Sequence, residues 1–387
     1  MASSNNSHIL PLLFTRGTHY EVGYSIGSVF KDRIRKYFHS SSHVQSRLLR
    51  FYDTQWGRDI FAEYLVGGEN CFPQYLTEIR GIADGCGMSF EHIFLLNISK
   101  EVYNVHLAEM EAKLLNHVHG CSTVFLNRPD IKILAHNEDC DPAIRPYGYL
   151  VNVNVIEPGA KSGTVKCNEE HFFAFSYPGT LPGNAFGCNK HGLIFSINSL
   201  SAKNACLGSP TRYLINRALM SASSVDEVIR IARNHDYGSA YGYNINLASL
   251  NKKEMWSIEV APGKTECPLE VTNIDEQHDV NKPCHYFHFN HYQHLKGIEE
   301  RSGLNSTFAR AKRAEQIAPP RNVKEVKTIL GDTQNSNYPI FRRPSTTDDA
   351  TTVYTGVFDI LQETVEVYAE NPNTSCEPLV KLPLSLK

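Results

Sequence analysis

The segment GCSTVFLNRPDIKILAHNED, residues 120–139, contains two short runs of β-branched, aromatic and aliphatic residues on either side of an Arg-Pro-Asp sequence. Such runs are typical of strands and the Pro-Asp pair is typical of a turn, so the segment predicts a β-hairpin with strands at 121–127 and 131–136. Cys121 stands at the head of the first strand, directly after Gly120. Most cysteines are small buried hydrophobes, and the position of this one raises the question of a chemical role.

The chain changes character on either side of this hairpin. Before residue 120, apolar residues recur at intervals of three or four, as at Val22, Ile26 and Ile34, which predicts helices. After the hairpin, the sequence predicts strands at 150–156, 172–175, 193–198, 245–249, 255–260, 353–358 and 364–368, with helices at about 211–221, 224–234 and 306–317. This order predicts a layered α+β domain, and the polar stretch 331–350 predicts a long surface loop.

The composition is ordinary for a globular protein, with 387 residues, 41% of them hydrophobic and 20% charged, and a formal net charge of −3. This balance gives no basic surface for nucleic acid or anionic membrane, so we expect neither as a partner. The apolar run near the N-terminus is short and interrupted by Pro11, and no later run reaches the length of a membrane span. We therefore expect a cytoplasmic protein whose ten scattered cysteines are reduced.

A group of histidines is the most conspicuous metal-like pattern. These residues, at successive intervals of three, are His285, His288, His291 and His294. Zinc ligands on a helix usually lie at i and i+4, and the aromatic residues between these histidines predict instead a strand that runs into a loop. The sequence also contains no P-loop, GxGxxG turn or GxSxG elbow. We expect no metal and no cofactor.

Three features favour a chemical role for Cys121 over a buried structural one. Gly120 has no Cβ, so its carbonyl group is open to an adjacent thiol. The following strand would hold the cysteine rigidly, and the hairpin would bring Asp139, at the end of the return strand, close to it. From there Asp139 would orient a base or an ammonium group. The residues alone indicate a cysteine nucleophile and leave its reaction open, as amide hydrolysis or acyl transfer.

The hairpin also resembles a known family. Gly120-Cys121-Ser122-Thr123, followed by Asn137-Glu138-Asp139, resembles the acyl-coenzyme A:6-aminopenicillanic acid acyltransferase family of N-terminal-nucleophile hydrolases. Further similar segments, in chain order, are 16–27, 78–85, 95–97, 187–198, 244–249 with Glu259, 288–292, and Ser306 with Arg310. Two positions depart from the family pattern, because Ser249 stands where an aspartate is usual and Cys140 replaces an aromatic residue.

The resemblance implies a four-layer αββα sandwich and self-cleavage between Gly120 and Cys121. Residues 1–120 would become a mainly helical smaller subunit and residues 121–387 the catalytic larger subunit. The two fragments would share one fold as a heterodimer, and a higher oligomer is left open.

The resemblance also implies roles for individual residues. Cys121 would be the nucleophile, and its new α-amino group, with an ordinary pKa near 8, would be the base. Asn244 would donate a hydrogen bond to the oxyanion, and Asp139 would position the amino terminus or the substrate. The remaining residues that would bind or position substrate are Arg310, Asn198 and Glu259.

Within the family, the resemblance implies hydrolysis of N-β-alanyl amines. N-β-alanyldopamine would give dopamine and β-alanine, and carcinine would give histamine and β-alanine, which would connect the chain to pigmentation, vision and neurotransmitter metabolism. Two alternatives stay open: an acyl-CoA-dependent N-acyltransferase of the same family, and an uncleaved, non-catalytic relative in which Cys121 is only part of the core.

Overall fold

The computed structural model describes residues 9–109, 120–159, 161–162, 165–166, 169–275, 285–345 and 350–386. The helices are α1 (His19–Val29), α2 (Lys31–Ser40), α3 (Leu49–Tyr52), α4 (Gln55–Cys71), α5 (Pro73–Cys86), α6 (Phe90–Asn97), α7 (Ser99–Glu109), α8 (Arg212–Leu219), α9 (Val225–Arg233), α10 (Asn305–Gln316) and α11 (Val323–Leu330). Short π-helical and 3₁₀ turns lie at Val44–Leu48 and Pro142–Ile144.

The strands are β1 (Leu12–Gly17), β2 (Ser122–Arg128), β3 (Ile131–Cys140), β4 (Tyr149–Ile156), β5 (Lys161–Ser162), β6 (Val165–Lys166), β7 (Glu169–Ser176), β8 (Phe186–Asn189), β9 (Leu193–Leu200), β10 (Gly242–Ser249), β11 (Glu254–Val260), β12 (Leu269–Asn273), β13 (His285–His288), β14 (Thr351–Asp359), β15 (Thr364–Tyr368) and β16 (Val380–Pro383). β2 and β3 pair as the predicted hairpin, which is thereby confirmed.

Two large sheets form the centre of the molecule. One has eight strands in the order β1-β4-β7-β8-β9-β10-β11-β12, and the other has six in the order β13-β2-β3-β14-β15-β16. The sheets face each other: the Thr123 hydroxyl of β2 donates to Asn198 Oδ1 of β9 at 3.0 Å. Helix α1 packs on β1 and β4, and α11 packs on β2 and β3. The order helix, sheet, sheet, helix confirms the predicted α+β, four-layer αββα architecture.

The N-terminal segment is built into the same core as the rest. β1 pairs in parallel with β4, and the sequence analysis missed this strand because its apolar run is short and follows a proline. Deeper in the core, the buried guanidinium of Arg217 pairs with Glu78 of α5 at 2.9 Å and with Glu170 of β7 at 2.6 Å. Sheet pairing and buried charge together join the two sides of residue 120.

Helices α1 and α5 approach closely because glycines line their contact. A Cβ on Gly23 would lie 2.0 Å from the backbone oxygen of Glu78, and a Cβ on Gly81 would lie 2.2 Å from the backbone oxygen of Tyr20. These glycines lie in two of the segments that carry the family resemblance, so packing accounts for that part of the pattern. Within the described residues, no helix is both long enough and apolar enough to span a membrane.

The prediction of a surface loop at 331–350 is partly wrong. Its described residues, 331–345 and Ala350, form no helix or strand, as expected. However, Ile340, Phe341 and Arg342 are buried. A polar composition hides this because the buried side chains are few among the described residues of the segment.

Candidate active site

The hairpin of β2 and β3 presents two chemically different faces. Neighbouring side chains of a strand point to opposite sides of the sheet, and the register pairs Thr123 with His136 and Ser122 with Asn137. The inner face, toward the eight-stranded sheet, carries Cys121, Thr123, His136 and Glu138. The outer face, toward α10 and α11, carries Ser122, Asn137 and Asp139. The two carboxylates therefore lie on opposite sides of one strand although they are consecutive in sequence.

On the inner face, the thiol is part of a buried hydrogen-bond network. Cys121 Sγ–H donates to Glu138 Oε2 at 3.6 Å, and the same oxygen lies 3.1 Å from His136 Nε2. The Tyr177 hydroxyl donates to the other oxygen of Glu138. Thr123 Oγ1 lies 2.9 Å from His136 Nδ1, which fixes the plane of the ring. The thiol thus has a carboxylate partner whose own position is held on both oxygens.

The electrostatic surroundings keep this thiol protonated. Burial raises the pKa of the Cys121 thiol well above its usual value, and the negative charges of Glu138 and Asp139 raise it further. A hydrogen bond with the backbone of Asp139 and the charge of Arg212 act in the opposite direction. A thiol in this state is a poor nucleophile until a base takes its proton.

On the outer face, two arginines bind the backbone on both sides of the Gly120–Cys121 peptide bond. Arg342 Nη1 donates to the carbonyl oxygen of Gly120 at 3.3 Å and lies 3.8 Å from Asp139 Oδ2. Arg310 Nη1 donates to the carbonyl oxygen of Cys121 at 2.8 Å. Both guanidinium groups are buried, so their charge acts at short range with little screening.

A side chain at position 120 would require three buried polar side chains to shift. A Cβ there would lie 2.5 Å from Arg310 Nη2, 2.6 Å from Asn290 Oδ1 and 2.9 Å from Arg342 Nη1. The approach of these polar groups to the backbone leaves little space for a side chain, which gives the Gly-Cys pair a physical reason.

The side chain of Asp139, near the end of β3, contacts β14 and the segment before it. Thr352 Oγ1 donates to Asp139 Oδ1 at 2.7 Å, and Arg342 faces the other oxygen. Burial raises the pKa of this carboxyl to about 7, although Arg342, Arg310 and the bond from Thr352 all lower it. Asp139 therefore titrates in the neutral range, next to the peptide bond that follows Gly120.

The side chain of Asn198 contacts the hairpin directly, and the side chain of Asn244 is two hydrogen bonds further from it. Asn198 Oδ1 accepts from Thr123 and also from Asn246 Nδ2, at 2.6 Å. Asn244 Nδ2 donates to Asn246 Oδ1 at 2.9 Å, and Asn244 Oδ1 accepts from Ser257 at 3.0 Å. Asn244 thus connects with the inner face through Asn246, Asn198 and Thr123.

Glu259 holds the histidine-rich segment. Its carboxylate bonds to His288 Nε2 at 3.0 Å and accepts from the backbone N–H groups of Gln293, His294 and Leu295. Burial alone would raise its pKa, but the bond from His288 and these N–H groups lower it to about 2. The predicted strand that runs into a loop is confirmed by β13, and Glu259 anchors that loop.

A small cavity of about 30 Å³ lies beside the inner face. Its lining includes Tyr37, Lys100, Cys140, Asp141, Tyr177 and Tyr213. Tyr177 connects this cavity with Glu138, since its hydroxyl donates to that carboxylate. Burial and the charge of Arg212 lower the pKa of Lys100 to about 8. The cavity therefore combines aromatic rings with a carboxylate and a readily deprotonated amine.

Sequence reasoning did not assign roles to several of these residues. Glu138 lies inside the motif that carries the resemblance, and its alternation with Asp139 was the available signal for a different role. Arg342 lies in an irregular segment without periodicity, 222 residues beyond Gly120, and nothing local marks it. Tyr177 and Lys100 likewise reach the site only through the fold.

The inner-face side chains are also the ones that could hold a metal ion. Cys121 Sγ, His136 Nε2 and a carboxylate oxygen of Glu138 all lie within 4.8 Å of one another. Thiolate, imidazole and carboxylate are ligands that Zn²⁺ accepts. In the structure the same atoms hydrogen-bond to each other.

Comparison with known proteins shows the family to which the chain belongs. Residues 126–374 match the family described as acyl-coenzyme A:6-aminopenicillanic acid acyl-transferase. The chain belongs to this family. The beta-alanyl-dopamine/carcinine hydrolase of Drosophila melanogaster is 31% identical to it over 382 residues, which cover 98% of this chain and 97% of the relative.

Two solved structures are more distant. A C2A mutant of conjugated bile acid hydrolase from Clostridium perfringens matches with a TM-score of 0.41 and 12% identity, over 69% of this chain and 93% of that one. Penicillin V acylase from Agrobacterium tumefaciens matches with a TM-score of 0.39 and 12% identity, over 64% and 82% respectively.

Proposed function

We propose that this chain is a self-processing cysteine amidohydrolase, which cuts itself between Gly120 and Cys121 and then hydrolyses the amide bond of N-β-alanyl amines. One observation carries the first half: the Gly120 carbonyl oxygen accepts a hydrogen bond from Arg342, beside a buried thiol that has a carboxylate partner. The near full-length similarity to a beta-alanyl-dopamine/carcinine hydrolase supports the second half.

Self-cleavage would begin with attack of Cys121 Sγ on the carbonyl carbon of Gly120. Negative charge would then develop on the oxygen to which Arg342 donates, and a donor of this kind is typically worth about 3–4 kcal/mol in such a step. Departure of the Cys121 nitrogen leaves a thioester, and water hydrolyses it. The products are residues 1–120 and residues 121–387, which the shared sheet and the buried ion pairs keep together as a heterodimer.

In the cut enzyme, the new α-amino group of Cys121 would take the thiol proton. Its ordinary pKa near 8 suits a base that works at neutral pH. Arg310 would hold this amino terminus, because it already donates to the Cys121 carbonyl oxygen, and Asp139, whose backbone hydrogen-bonds to the thiol, would help to position it. Asn244 is our candidate oxyanion donor during turnover, since its Nδ2 has a second hydrogen besides the one donated to Asn246 Oδ1. Asn198, which accepts from Thr123, would keep the inner face in register.

The cavity beside the inner face offers the groups that a β-alanyl amine needs, and it would have to open to admit one. An ammonium group needs a carboxylate, which Asp141 supplies, and a catechol or imidazole ring needs an aromatic slot, which Tyr37 and Tyr213 supply. The proposed reactions are N-β-alanyldopamine to dopamine and β-alanine, and carcinine to histamine and β-alanine. A cytoplasmic location is part of the proposal, since a reduced Cys121 is required.

The experiment that tests this proposal is incubation of the purified full-length chain with carcinine, followed by measurement of free histamine. Histamine should appear with the wild-type chain and be absent with Cys121→Ala. A cut chain that releases none would contradict the hydrolase. If it instead converts an acyl-CoA and an amine into an N-acyl amine, the acyltransferase alternative is correct.

A further inference from the structure

We propose that Glu138 is the base that activates Cys121 for the self-cleavage step, in the chain that has not yet been cut. This inference rests on the proposed self-processing and adds to it a residue with a role in the first reaction only.

The uncut chain lacks the base that the cut enzyme would use. The nitrogen of Cys121 is then part of a peptide bond, whose lone pair is delocalised and not basic. The first attack therefore needs a proton acceptor from elsewhere. The described acceptor within hydrogen-bond reach of Cys121 Sγ is Glu138 Oε2, at 3.6 Å.

The second nearby carboxylate, that of Asp139, lies on the other face of the strand, and its Oδ2 accepts no hydrogen bond from the described residues. Asp139 Oδ1 accepts from Thr352, and Asp139 Oδ2 faces Arg342. Asp139 meets the thiol through its backbone and its charge. Alternation along β3 points Glu138 and Asp139 to opposite faces. The pairing of β2 with β3 puts Cys121 on the inner face with Glu138.

The surroundings of Glu138 hold it in place without blocking it. Its Oε2 shares a hydrogen bond with His136 Nε2, and its Oε1 accepts from Tyr177. A carboxylate has about four lone-pair positions, so two partners leave capacity for the thiol proton. His136 is in turn fixed by Thr123. The titratable groups that contact Glu138 or interact with its charge are Cys121, His136, Asp139, Cys140, Lys100, Tyr177 and Tyr213.

The proposed step balances without any further reactant than water. The Sγ–H proton moves to Glu138 as the Sγ–C bond to Gly120 forms and the carbonyl electron pair moves to oxygen, facing Arg342. The C–N bond then breaks, and the proton on Glu138 passes to the Cys121 nitrogen, which becomes the α-amino group. Water hydrolyses the thioester to the Gly120 carboxylate and the free thiol. Glu138 is again a carboxylate at the end.

The test measures self-cleavage of the full-length chain over time on denaturing gels, for wild type, Glu138→Gln and Glu101→Gln. Glu101 is a matched control because it is a buried glutamate of α7 whose carboxylate accepts from the backbone of Arg212. We expect Glu138→Gln to cleave at least about 100-fold more slowly near neutral pH, the scale of general-base catalysis, and Glu101→Gln to cleave as wild type does.

Two further measurements separate a base from a structural role. Raising the pH should speed cleavage of Glu138→Gln more steeply than cleavage of wild type, because in the variant hydroxide must take the thiol proton. Added chelator should leave the wild-type rate unchanged, which excludes a bound metal as the activator. Glu138→Gln that folds, as shown by circular dichroism, and cleaves at the wild-type rate would overturn the assignment.

The outcomes also distinguish this inference from the proposed function. If wild type and Glu138→Gln are both cut at the same rate and both release histamine from carcinine, the function stands and Glu138 is wrong. If cleavage depends on Glu138 and no histamine appears, Glu138 stands and the substrate is wrong. A wild-type chain that stays uncut overturns both the self-processing and the role of Glu138.

Discussion

The two faces of the β2–β3 hairpin divide the chemistry between them. The inner face carries the Cys121 thiol and its hydrogen-bond partner Glu138, which also bonds to His136. On the outer face, the positively charged side chains of Arg310 and Arg342 donate to the backbone carbonyl oxygens of Cys121 and Gly120. Because the side chains of a strand alternate, one strand supplies groups to both faces. The consecutive carboxylates of Glu138 and Asp139 therefore need not act together.

The largest effect should come from the inner face, through the nucleophile itself. Cys121→Ala removes the attacking sulfur, and we expect one full-length band on a denaturing gel and no histamine from carcinine. Cys188→Ala, which removes another buried cysteine, on β8, is the matched control and should still be cut. Cleavage at the same bond in Cys121→Ala would remove the basis for the inner-face role.

The next effect should come from the outer face. Arg342→Gln removes the charged donor to the Gly120 carbonyl oxygen, and we expect self-cleavage to slow about 100- to 1,000-fold, as for other oxyanion donors. Arg343→Gln changes the adjacent arginine, which pairs with Glu370 near the surface, and should cut at the wild-type rate. Equal rates for both variants would show that Arg342 does not act on this carbonyl.

A third prediction concerns pH and the outer-face carboxylate. Folded Asp139 has a pKa of about 7 against an ordinary 3.8, so between these values the folded chain holds a proton that the unfolded chain has released. The free energy of unfolding should therefore fall as pH rises from about 4 to about 7. Asp139→Asn, made in a Cys121→Ala chain that cannot cut, should flatten this dependence.

The control for this pH profile lies on the same hairpin. Asp130→Asn changes an exposed carboxylate at the turn, and the profile should keep its slope. Denaturant unfolding at several pH values measures both variants. Superimposable profiles for Cys121→Ala with and without Asp139→Asn would contradict the raised pKa.

The smallest effect should come from Tyr177, which supports the inner face from the cavity. Tyr177→Phe removes the hydroxyl that donates to Glu138, and loss of one hydrogen bond to a charged group predicts self-cleavage about tenfold slower. Tyr149→Phe removes the hydroxyl of another buried tyrosine, on β4, and should leave the rate unchanged. A wild-type rate in Tyr177→Phe would mean that Glu138 keeps its position without this bond.

The sequence predicts the parts of the site that depend on local pattern. The hairpin follows from composition and turn residues, and its geometry alone brings Asp139 near Cys121. Alternation within the strand assigns Glu138 to the other face, although the motif did not reveal its partner. Arg342 could not be predicted, because it enters from an irregular segment whose burial depends on tertiary packing. Asn244 shows the same limit, since its hydrogen bonds depend on the register of β9 and β10.

Intact mass spectrometry of the purified full-length chain under denaturing conditions tests the central claim most directly. Self-cleavage predicts two masses, those of residues 1–120 and 121–387, with Cys121 as the first residue of the larger fragment. A single mass for the uncut chain, unchanged after prolonged incubation at neutral pH, would contradict it.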